Sequence, residues 1–572
     1  MTETTLNRDH NEFPRRFVPE DLDLGDWEQI GACYKLLRER DLSTLRDIER
    51  WLADLSELQS ALGEEHAVRY IQMTCHTDDP AIERAYLHFI ENITPKTESE
   101  HFALARKYLD APGRGDLAAE RYFVFNRARE NEVAIYRDEN VPLQTRDAIL
   151  SQQYQKICGE MTANFKQREH TIPQLTGYLE ETDRNERRAA WLTAANRQLA
   201  DRQAIESIFD EMISLRDRMA HHAGFPNFIE YQFRRLGRFD YTAQDCLSFH
   251  EAIEKAVMPL QRKLRERRKS GLGLPKLAPW DLDADPLGLP PLRPFSNAAE
   301  LEQGVVRIFA AISPLFEAEF AILRERHLLD LESRKGKAPG GYQITLDETR
   351  QPFIFMNAAD RNQDLFTLFH EGGHAFHALA TRYEPLFSYR SAPIEFAEVG
   401  SMGMEMMAYE KLDAFYNPGS AARARRMHLE DIILLLPWIA RVDAFQHWIY
   451  ANPGHSRAER EARWITLDER FGDDLDWSEL PEWRACSWYA KMHFFCVPLY
   501  YIEYGIAQLG ALQLWERYLD NPQAAIEGYR VGLKLGGSKP LPDIFITAGL
   551  RFNFRMETLQ PLMSKIESAL DL

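Results

Sequence analysis

Two histidines separated by three residues place the strongest constraint on how this chain can fold. The segment His370-Glu371-Gly372-Gly373-His374 follows an apolar run, and no proline interrupts residues 362–381. On an α-helix, residues i and i+4 share a face, with Cβ atoms about 5–6 Å apart. Two imidazoles placed in this way can bind one Zn²⁺ ion, with the glutamate as a general base toward water. The pattern therefore predicts a buried helix that carries a metal site.

The third metal ligand must come from a later part of the chain. A further histidine at position 380, which one class of zinc enzymes uses, is absent because residue 380 is alanine. Glutamates follow at 395, 398 and 405. We predict that Glu398 is the third ligand and that Glu405, on the same helical face, holds a ligand imidazole by its other N–H. Glu395 is predicted to be a solvated or capping residue.

Three other residues of the motif helix need an explanation. His377 follows His374 by one turn, so it either supports the metal ligands from outside or is a hydrogen-bonded packing histidine. Gly372 and Gly373 each cost about 1 kcal/mol in a helix interior. We expect close approach of another backbone, or of a substrate, to be the reason for these glycines.

Beyond the motif itself, several segments of the chain are distinctive. Around the motif they are 336–342, 352–357, 367–374 and 395–402, and further ones are 224–231, 238–241 and 493–504. Together they resemble the oligoendopeptidase F and thimet oligopeptidase family of zinc metallopeptidases, and more closely its oligoendopeptidase F branch. The resemblance covers roughly residues 190 to 560. It implies a mainly α fold, in which two helical lobes enclose a deep channel and one small antiparallel sheet lies beside the zinc helix. We expect an N-terminal helical lobe at 1–190 and a catalytic region at 191–572.

The resemblance also points to a group that stabilises the oxyanion formed during hydrolysis. It indicates His493 together with the tyrosines that follow it, namely Tyr500, Tyr501 and Tyr504. One preorganised donor of this kind is worth on the order of 3 kcal/mol. Tyr500 and Tyr504 have i, i+4 spacing, but Pro498 interrupts a regular helix, so their register is open. The alternative is that these rings form an aromatic packing stripe.

Strand-like patterns precede the motif helix. Residues 342–346 and 353–356 flank a polar turn and predict an antiparallel hairpin. An edge strand near the metal can pair with an extended peptide through main-chain hydrogen bonds. We therefore predict substrate-binding roles for the residues around this hairpin, which are Gly340, Gly341, Tyr342, Met356 and Asn357. The alternative is that the hairpin only supports the helix and that the glycines only form a turn.

Composition limits the partners and the compartment. The net charge is −19, which argues against nucleic acid and anionic membrane as main partners because phosphate binding needs a basic face. Six scattered cysteines without C-x-x-C spacing indicate a reducing compartment and no thiolate zinc site. The polar N-terminus lacks a signal peptide, and the apolar stretch 432–440 is short and contains proline. We expect a cytoplasmic location; the oligomeric state is left open.

Apolar residues with i, i+3, i+4 spacing predict helices over 27–110 and 140–220. Residues 270–296 are rich in Pro and Gly and predict a long surface loop inside the catalytic region. Asn297 follows this loop and is a candidate N-cap for the next helix.

Together, the residues and the resemblance predict a zinc endopeptidase with one Zn²⁺ per chain that cleaves short unstructured peptides. Three alternatives stay open. Release of dipeptides from a carboxyl end would need a cation such as Arg390 to receive the terminal carboxylate. The others are a zinc hydrolase of a non-peptide amide and an inactive helical binding protein.

Overall fold

The computed structural model describes residues 12–334, 336–338, 340–472 and 474–572. The N-terminal segment 1–10, in which no signal peptide is predicted, lies outside these residues. Most of the described residues are helical, so the predicted mainly α fold is confirmed. The deep channel between two helical lobes stays a prediction.

The α-helices run in chain order from α1 to α24. They are α1 Trp27–Glu39, α2 Leu45–Cys75, α3 Pro80–Asn92, α4 Thr94–Leu109, α5 Ala119–Ile135, α6 Val141–Gly159, α7 Ile172–Thr176, α8 Arg184–Ala200, α9 Arg202–His222, α10 Phe228–Arg235, α11 Ala243–Ala256, α12 Met258–Gly271, α13 Ala298–Ile312, α14 Pro314–Glu325, α15 Asn362–Thr381, α16 Ile394–Tyr409, α17 Pro418–Ala451, α18 Arg457–Phe471, α19 Pro481–Cys486, α20 His493–Cys496, α21 Ile502–Asp520, α22 Pro522–Lys534, α23 Leu541–Thr547 and α24 Met556–Leu570. The strands are β1 Thr162–Phe165, β2 Arg168–Thr171, β3 Leu329–Glu332, β4 Tyr342–Leu346 and β5 Gln351–Ala358.

The helices and strands group into two compact units. The first unit contains the described residues up to Ala134 together with Leu292–Arg425 and Ala507–Phe552. The second contains Ile135–Pro291, Arg426–Ile506 and Asn553–Leu572. The predicted division at residue 190 into a helical lobe and a catalytic region stays a prediction, and the boundaries of the compact units lie elsewhere.

The N-terminal helices form as their apolar spacing predicts. In α2, Thr44 caps the N-terminus by accepting from the Asp47 backbone N–H, and the buried Ile48, Trp51 and Leu55 follow at helical spacing. Trp51 stacks on Tyr108 of α4 with ring centroids 6.2 Å apart. Fully burying one side chain of this kind stabilises the fold by about 1.5–3 kcal/mol.

Two sheets are present among the described residues, whereas the sequence predicts one. The predicted hairpin is confirmed, because β4 pairs with β5 in antiparallel register from Tyr342–Phe355 to Leu346–Gln351. The parallel strand β3 adds to the other side of β5, which gives the order β3-β5-β4 and leaves β4 at an edge. The short β1–β2 hairpin was missed because its strands are four residues long and contain no buried residue.

The proline-rich segment 270–296 is mostly irregular, as predicted, but it is not wholly a surface loop. Trp280 and Asp281 are buried, and the Asp281 carboxylate accepts from Arg184 and Arg187 of α8. Asn297 caps α13 as predicted, since its side chain accepts from the Glu300 backbone N–H at 3.0 Å.

One described helix, α17, is long and apolar enough to cross a membrane by length and composition alone. The apolar window of α17 is 78% buried inside the protein, which is what a core helix shows. Pro437 lies inside this helix.

Candidate metal centre

The motif helix spans Asn362–Thr381, the proline-free run from which it was predicted. The Asp364 carboxylate closes its N-terminus by accepting from the backbone N–H groups of Ala359 at 2.7 Å and Arg361 at 3.0 Å. Its apolar residues Leu365, Leu368 and Phe369 are fully buried. These hydrogen bonds and buried side chains hold α15 in place through contacts that do not involve a metal.

One motif glycine, Gly373, allows another backbone to approach α15 closely, as predicted, whereas Gly372 faces a side chain. A Cβ added to Gly373 would lie 2.5 Å from the Gly400 carbonyl oxygen and 2.6 Å from the Ser401 Cα, both in α16. A Cβ added to Gly372 would lie 2.8 Å from the Phe309 ring. Gly373 thus lets the backbones of α15 and α16 touch, which brings the glutamates of α16 against the histidines of α15.

The side chains of His370, His374 and Glu398 converge at one point. Their ligand atoms all lie within 4.8 Å of one another. The Glu398 Oε2 is 3.3 Å from the His370 Nε2 and 3.8 Å from the His374 Nε2. Two nitrogen donors and one carboxylate suit a zinc ion with an open fourth position. The geometry therefore brings together the three residues predicted as ligands.

Further carboxylate and hydroxyl groups hold these ligands. The Glu405 Oε1 lies 2.7 Å from the His370 Nδ1, as predicted, and the Ser401 hydroxyl donates to the Glu398 Oε2 at 3.0 Å. An imidazole that donates from Nδ1 keeps its Nε2 lone pair for a metal. The role of Ser401 was not predicted; its i+3 spacing from Glu398 was the available signal.

The electrostatics of the site favour a cation. Burial would lower the pKa of His370, but hydrogen bonds to Glu398 and Glu405 raise it well above its ordinary value. Burial and the neighbouring His370 lower the pKa of His374 to about 3. Burial opposes ionisation of Glu398, yet the hydrogen bond from His370 and the electrostatic interaction with both histidines bring its pKa to about 2. Neutral His374 and ionised Glu398 are the forms that bind zinc.

Glu371 is buried at the same site, with 7% of its surface exposed. Burial raises its pKa to about 7, with help from the charge of Glu398, while the charge of His370 and a hydrogen bond from the Gln343 backbone N–H act in the opposite direction. Gln343 lies in the edge strand β4. The hairpin therefore contacts the predicted general base directly.

Of two predictions for polar neighbours of the site, one is wrong in part and the other stays open. Glu395 is only 4% exposed and lies in the first turn of α16, so the expectation of a solvated residue is wrong. His377 is buried, and its Nε2 has no hydrogen-bond partner among the described residues. At that atom, neither a hydrogen bond to a metal ligand nor one to a packing neighbour is seen. Burial lowers the pKa of His377 to about 4. A supporting role for His377 stays a prediction.

The residues predicted to bind substrate lie together around the hairpin. Gly340 has a φ of +101°, which favours glycine, and the Asn357 amide donates to the Gly340 carbonyl at 2.9 Å. Tyr342 stacks on Phe355 and shares a 2.6 Å hydrogen bond with Thr74. Met356 is 1% exposed and lies near Gly341. These contacts shape the loop and the edge strand; contact with a substrate stays a prediction.

The predicted His and Tyr residues form a cluster in the second compact unit. The His493 ring centroid lies 6.2 Å from that of Tyr500, 4.8 Å from Tyr501 and 6.1 Å from Tyr504. The chain leaves helical geometry around Pro498, where Leu499 has a φ of +64°, so Tyr504 lies in α21 and Tyr500 does not. Burial, with a smaller effect of Lys491, lowers the pKa of His493 to about 4. A catalytic role for the cluster stays a prediction.

Comparisons with known proteins identify relatives of this chain. The model of peptidase family M3 matches residues 177–564. The chain is 26% identical to the oligoendopeptidase F homolog of Borreliella burgdorferi over 236 residues, or 40% of this chain and 39% of that protein. It is 29% identical to the oligoendopeptidase F homolog of Lactococcus lactis subsp. lactis over 319 residues, or 52% and 49%. The matched region thus spans at most about half the length of these relatives.

A solved structure of PZ peptidase A with an inhibitor superimposes with a TM-score of 0.89 and 27% identity, covering 97% of this chain and 99% of that one. The family match and this structural likeness together define the chain as a peptidase by class. Within that class, the chain belongs to peptidase family M3. The resemblance to the oligoendopeptidase F branch is confirmed.

Proposed function

We propose that this protein is a zinc-dependent endopeptidase that hydrolyses internal peptide bonds of short, unstructured oligopeptides. One observation carries the proposal. The close approach of α15 and α16 at Gly373 brings Glu398 to His370 and His374, while Glu371 is buried beside them. Family membership and the relatives named oligoendopeptidase F support the same activity.

The donor set determines which residues would hold the metal and what the others do. His370, His374 and Glu398 would bind one Zn²⁺, which when bound supplies Lewis acidity toward a carbonyl and a water. Glu371 would accept a proton from the attacking water and pass it to the leaving amine. A carboxylate whose pKa is about 7 suits both transfers near neutral pH. Glu405 would keep the His370 imidazole oriented throughout.

The edge strand supports the choice of an extended peptide as substrate. Along an antiparallel strand, backbone groups point alternately toward and away from the partner strand. The Gln343 N–H of β4 reaches Glu371, so Gln343 and Thr345 share the side of the strand that faces away from β5. Main-chain hydrogen bonds on this side would allow peptides of many sequences to bind, because they do not involve the side chains of the peptide.

The contacts of Arg390 do not favour the alternative of carboxyl-end cleavage. Its guanidinium donates to the carbonyl oxygens of Glu384 and Asp347 and to the Ser60 hydroxyl. Through these hydrogen bonds Arg390 links three separate segments of the first unit. Such contacts suit a structural role better than binding of a substrate carboxylate.

The test is mass spectrometry of the products from a mixed peptide library whose members are blocked at both ends. We expect internal cleavage by the wild type, and a loss of about 10²–10⁴-fold in kcat for Glu371→Gln with the zinc content unchanged. Glu325→Gln, at an exposed position of α14, is the matched control. Undiminished cleavage by Glu371→Gln would exclude the assigned base. Intact blocked peptides would contradict the endopeptidase and leave the three alternatives. Cleavage of the same peptides with free carboxyl ends would then indicate dipeptide release, and intact peptides in both assays would favour the binding protein or the non-peptide amidase.

A further inference from the structure

A second group of metal-ligand side chains lies in the second compact unit. Cys246 of α11 and Asp443 and His447 of α17 bring one sulfur, one oxygen and one nitrogen within 4.8 Å of one another. All three residues are buried, with exposures of 0%, 0% and 7%. The sequence predicts no thiolate site, because Cys246 is far along the chain from the other two residues.

Local helix geometry explains how the group forms. Asp443 and His447 are four residues apart in α17 and so share one face. Cys246 and His250 have the same spacing in α11, and the His250 Nε2 lies 2.8 Å from the Asp443 Oδ2. A carboxylate that is oriented by an outer histidine is a common feature of metal sites.

Two buried polar atoms of this group have no hydrogen-bond partner among the described residues. They are the Asp443 Oδ1 and the His447 Nε2. Leaving a buried polar group unpaired costs about 1–3 kcal/mol, and more if it is charged. The hydrogen bond from His250 engages the Asp443 Oδ2, and the His447 Nε2 has only a 3.3 Å contact with that same oxygen. A cation between the three side chains would give the His447 Nε2 and the Asp443 carboxylate a common partner.

The distances resemble those of the first site. The His447 Nε2 lies 3.3 Å from the Asp443 Oδ2, the same separation as between the His370 Nε2 and the Glu398 Oε2. Two donors about 2.0 Å from one ion at a tetrahedral angle are roughly 3.3 Å apart. The charges also fit, because a thiolate and a carboxylate neutralise a dication and the imidazole adds none.

We propose that Cys246, Asp443 and His447 bind a second Zn²⁺ ion, with His250 as the residue that positions Asp443. The donor set of sulfur, nitrogen and oxygen is typical of zinc and poor for magnesium or calcium. Binding replaces the thiol proton of Cys246 with the metal, and that proton leaves to solvent. The ion would join α11 to α17 within the second unit, and this role does not depend on the proposed peptidase activity.

Cobalt distinguishes the two sites, because only the second has a sulfur ligand. The full-length protein is freed of metal by chelation, and Co²⁺ is added in steps while the near-ultraviolet absorption is recorded. We expect a thiolate-to-cobalt charge-transfer band that is complete by two added equivalents, because the first site takes up the other ion. The band should disappear in Cys246→Ser and persist in Cys486→Ser, which alters another buried cysteine of the same unit.

Further variants separate this proposal from the proposed function. The band should persist in His374→Ala, which damages only the first site, and His447→Gln should weaken cobalt binding at least tenfold. The wild-type protein should hold two zinc ions and Cys246→Ser one. Absence of the band in the wild type, or its survival in Cys246→Ser, would overturn the proposal. The wild-type result decides even if a variant fails to fold.

Discussion

The Nδ1 of His370 and the Oε1 of Glu405 lie 2.7 Å apart, so a carboxylate two turns after Glu398 in α16 orients a histidine of α15. Loss of such a partner commonly lowers metal affinity 10–100-fold. We expect Glu405→Ala to weaken zinc binding by about this factor, and Glu405→Gln, which can still accept a hydrogen bond, to weaken it less. Competition with a chromogenic chelator measures both affinities. Equal affinity of Glu405→Ala and wild type would remove Glu405 from the site.

The contact between Gly373 and α16 predicts a steric effect. An alanine methyl group would meet the Gly400 carbonyl and the Ser401 backbone at distances that real Cβ atoms do not show. We expect Gly373→Ala to destabilise the protein by about 1–3 kcal/mol and to reduce zinc content, because α16 must move away. Gly115→Ala, with no atom within 4 Å of the added Cβ, is the control in the same unit. Denaturant midpoints and metal analysis check both, and a stable, fully loaded Gly373→Ala would contradict the packing argument.

An ion pair beside the hairpin predicts a pH-dependent contribution to stability. Burial opposes ionisation of Asp330, but hydrogen bonds from Arg334, Lys337 and Cys75 lower its pKa to about 2. A lowered pKa stabilises the fold at pH values above the unfolded value near 4. That contribution is lost as the pH falls from 4 toward 2.

The corresponding variant is Asp330→Asn. We expect it to cost about 1–2 kcal/mol at pH 7, after allowance for solvent screening, and progressively less below pH 4. Urea midpoints of wild type and variant across this range give the measurement. A difference that stays constant down to pH 3 and below would show that the charge of Asp330 is not responsible.

The aromatic cluster at His493 predicts a difference among its tyrosines. The Tyr501 hydroxyl already accepts a 3.0 Å hydrogen bond from the Trp438 indole. We expect Tyr504→Phe or His493→Gln to lower kcat by about 10²–10³-fold with KM little changed, and Tyr501→Phe to have a smaller effect. Tyr231→Phe, at a buried tyrosine of the same unit, is the control. If every variant keeps wild-type kcat, the cluster is a packing stripe.

Local spacing was enough to predict part of this structure. The bounds of α15, the hairpin and the Asn297 cap follow from patterns within about twenty residues, where helix and strand geometry fix the neighbours. The position of Glu398 beside the two histidines could also be predicted, because the short segment between α15 and α16 limits which acidic residues can reach the histidines. Its oxygen lies 3.3 Å from the His370 Nε2.

Contacts between distant segments could not be predicted in this way. No local pattern indicates that β3 joins β5 in parallel, or that α11 meets α17 at Cys246 and Asp443. Glu395 was misjudged for a related reason. Its helix is buried on nearly all sides by elements that come earlier and later in the chain, so an acidic residue in the first turn is covered as well.

The Tyr529 hydroxyl of α22 donates to the Gly400 carbonyl oxygen at 2.7 Å, and the Leu533 side chain packs against the same glycine. During synthesis of the chain, the three candidate ligand residues are made well before α22. A nascent or truncated chain that ends before α22 would contain every candidate ligand but would lack the α22 side chains that pack against α16. Metal loading at this site should therefore follow the synthesis of α22, and limited proteolysis that removes α22 should release a bound ion without touching a ligand.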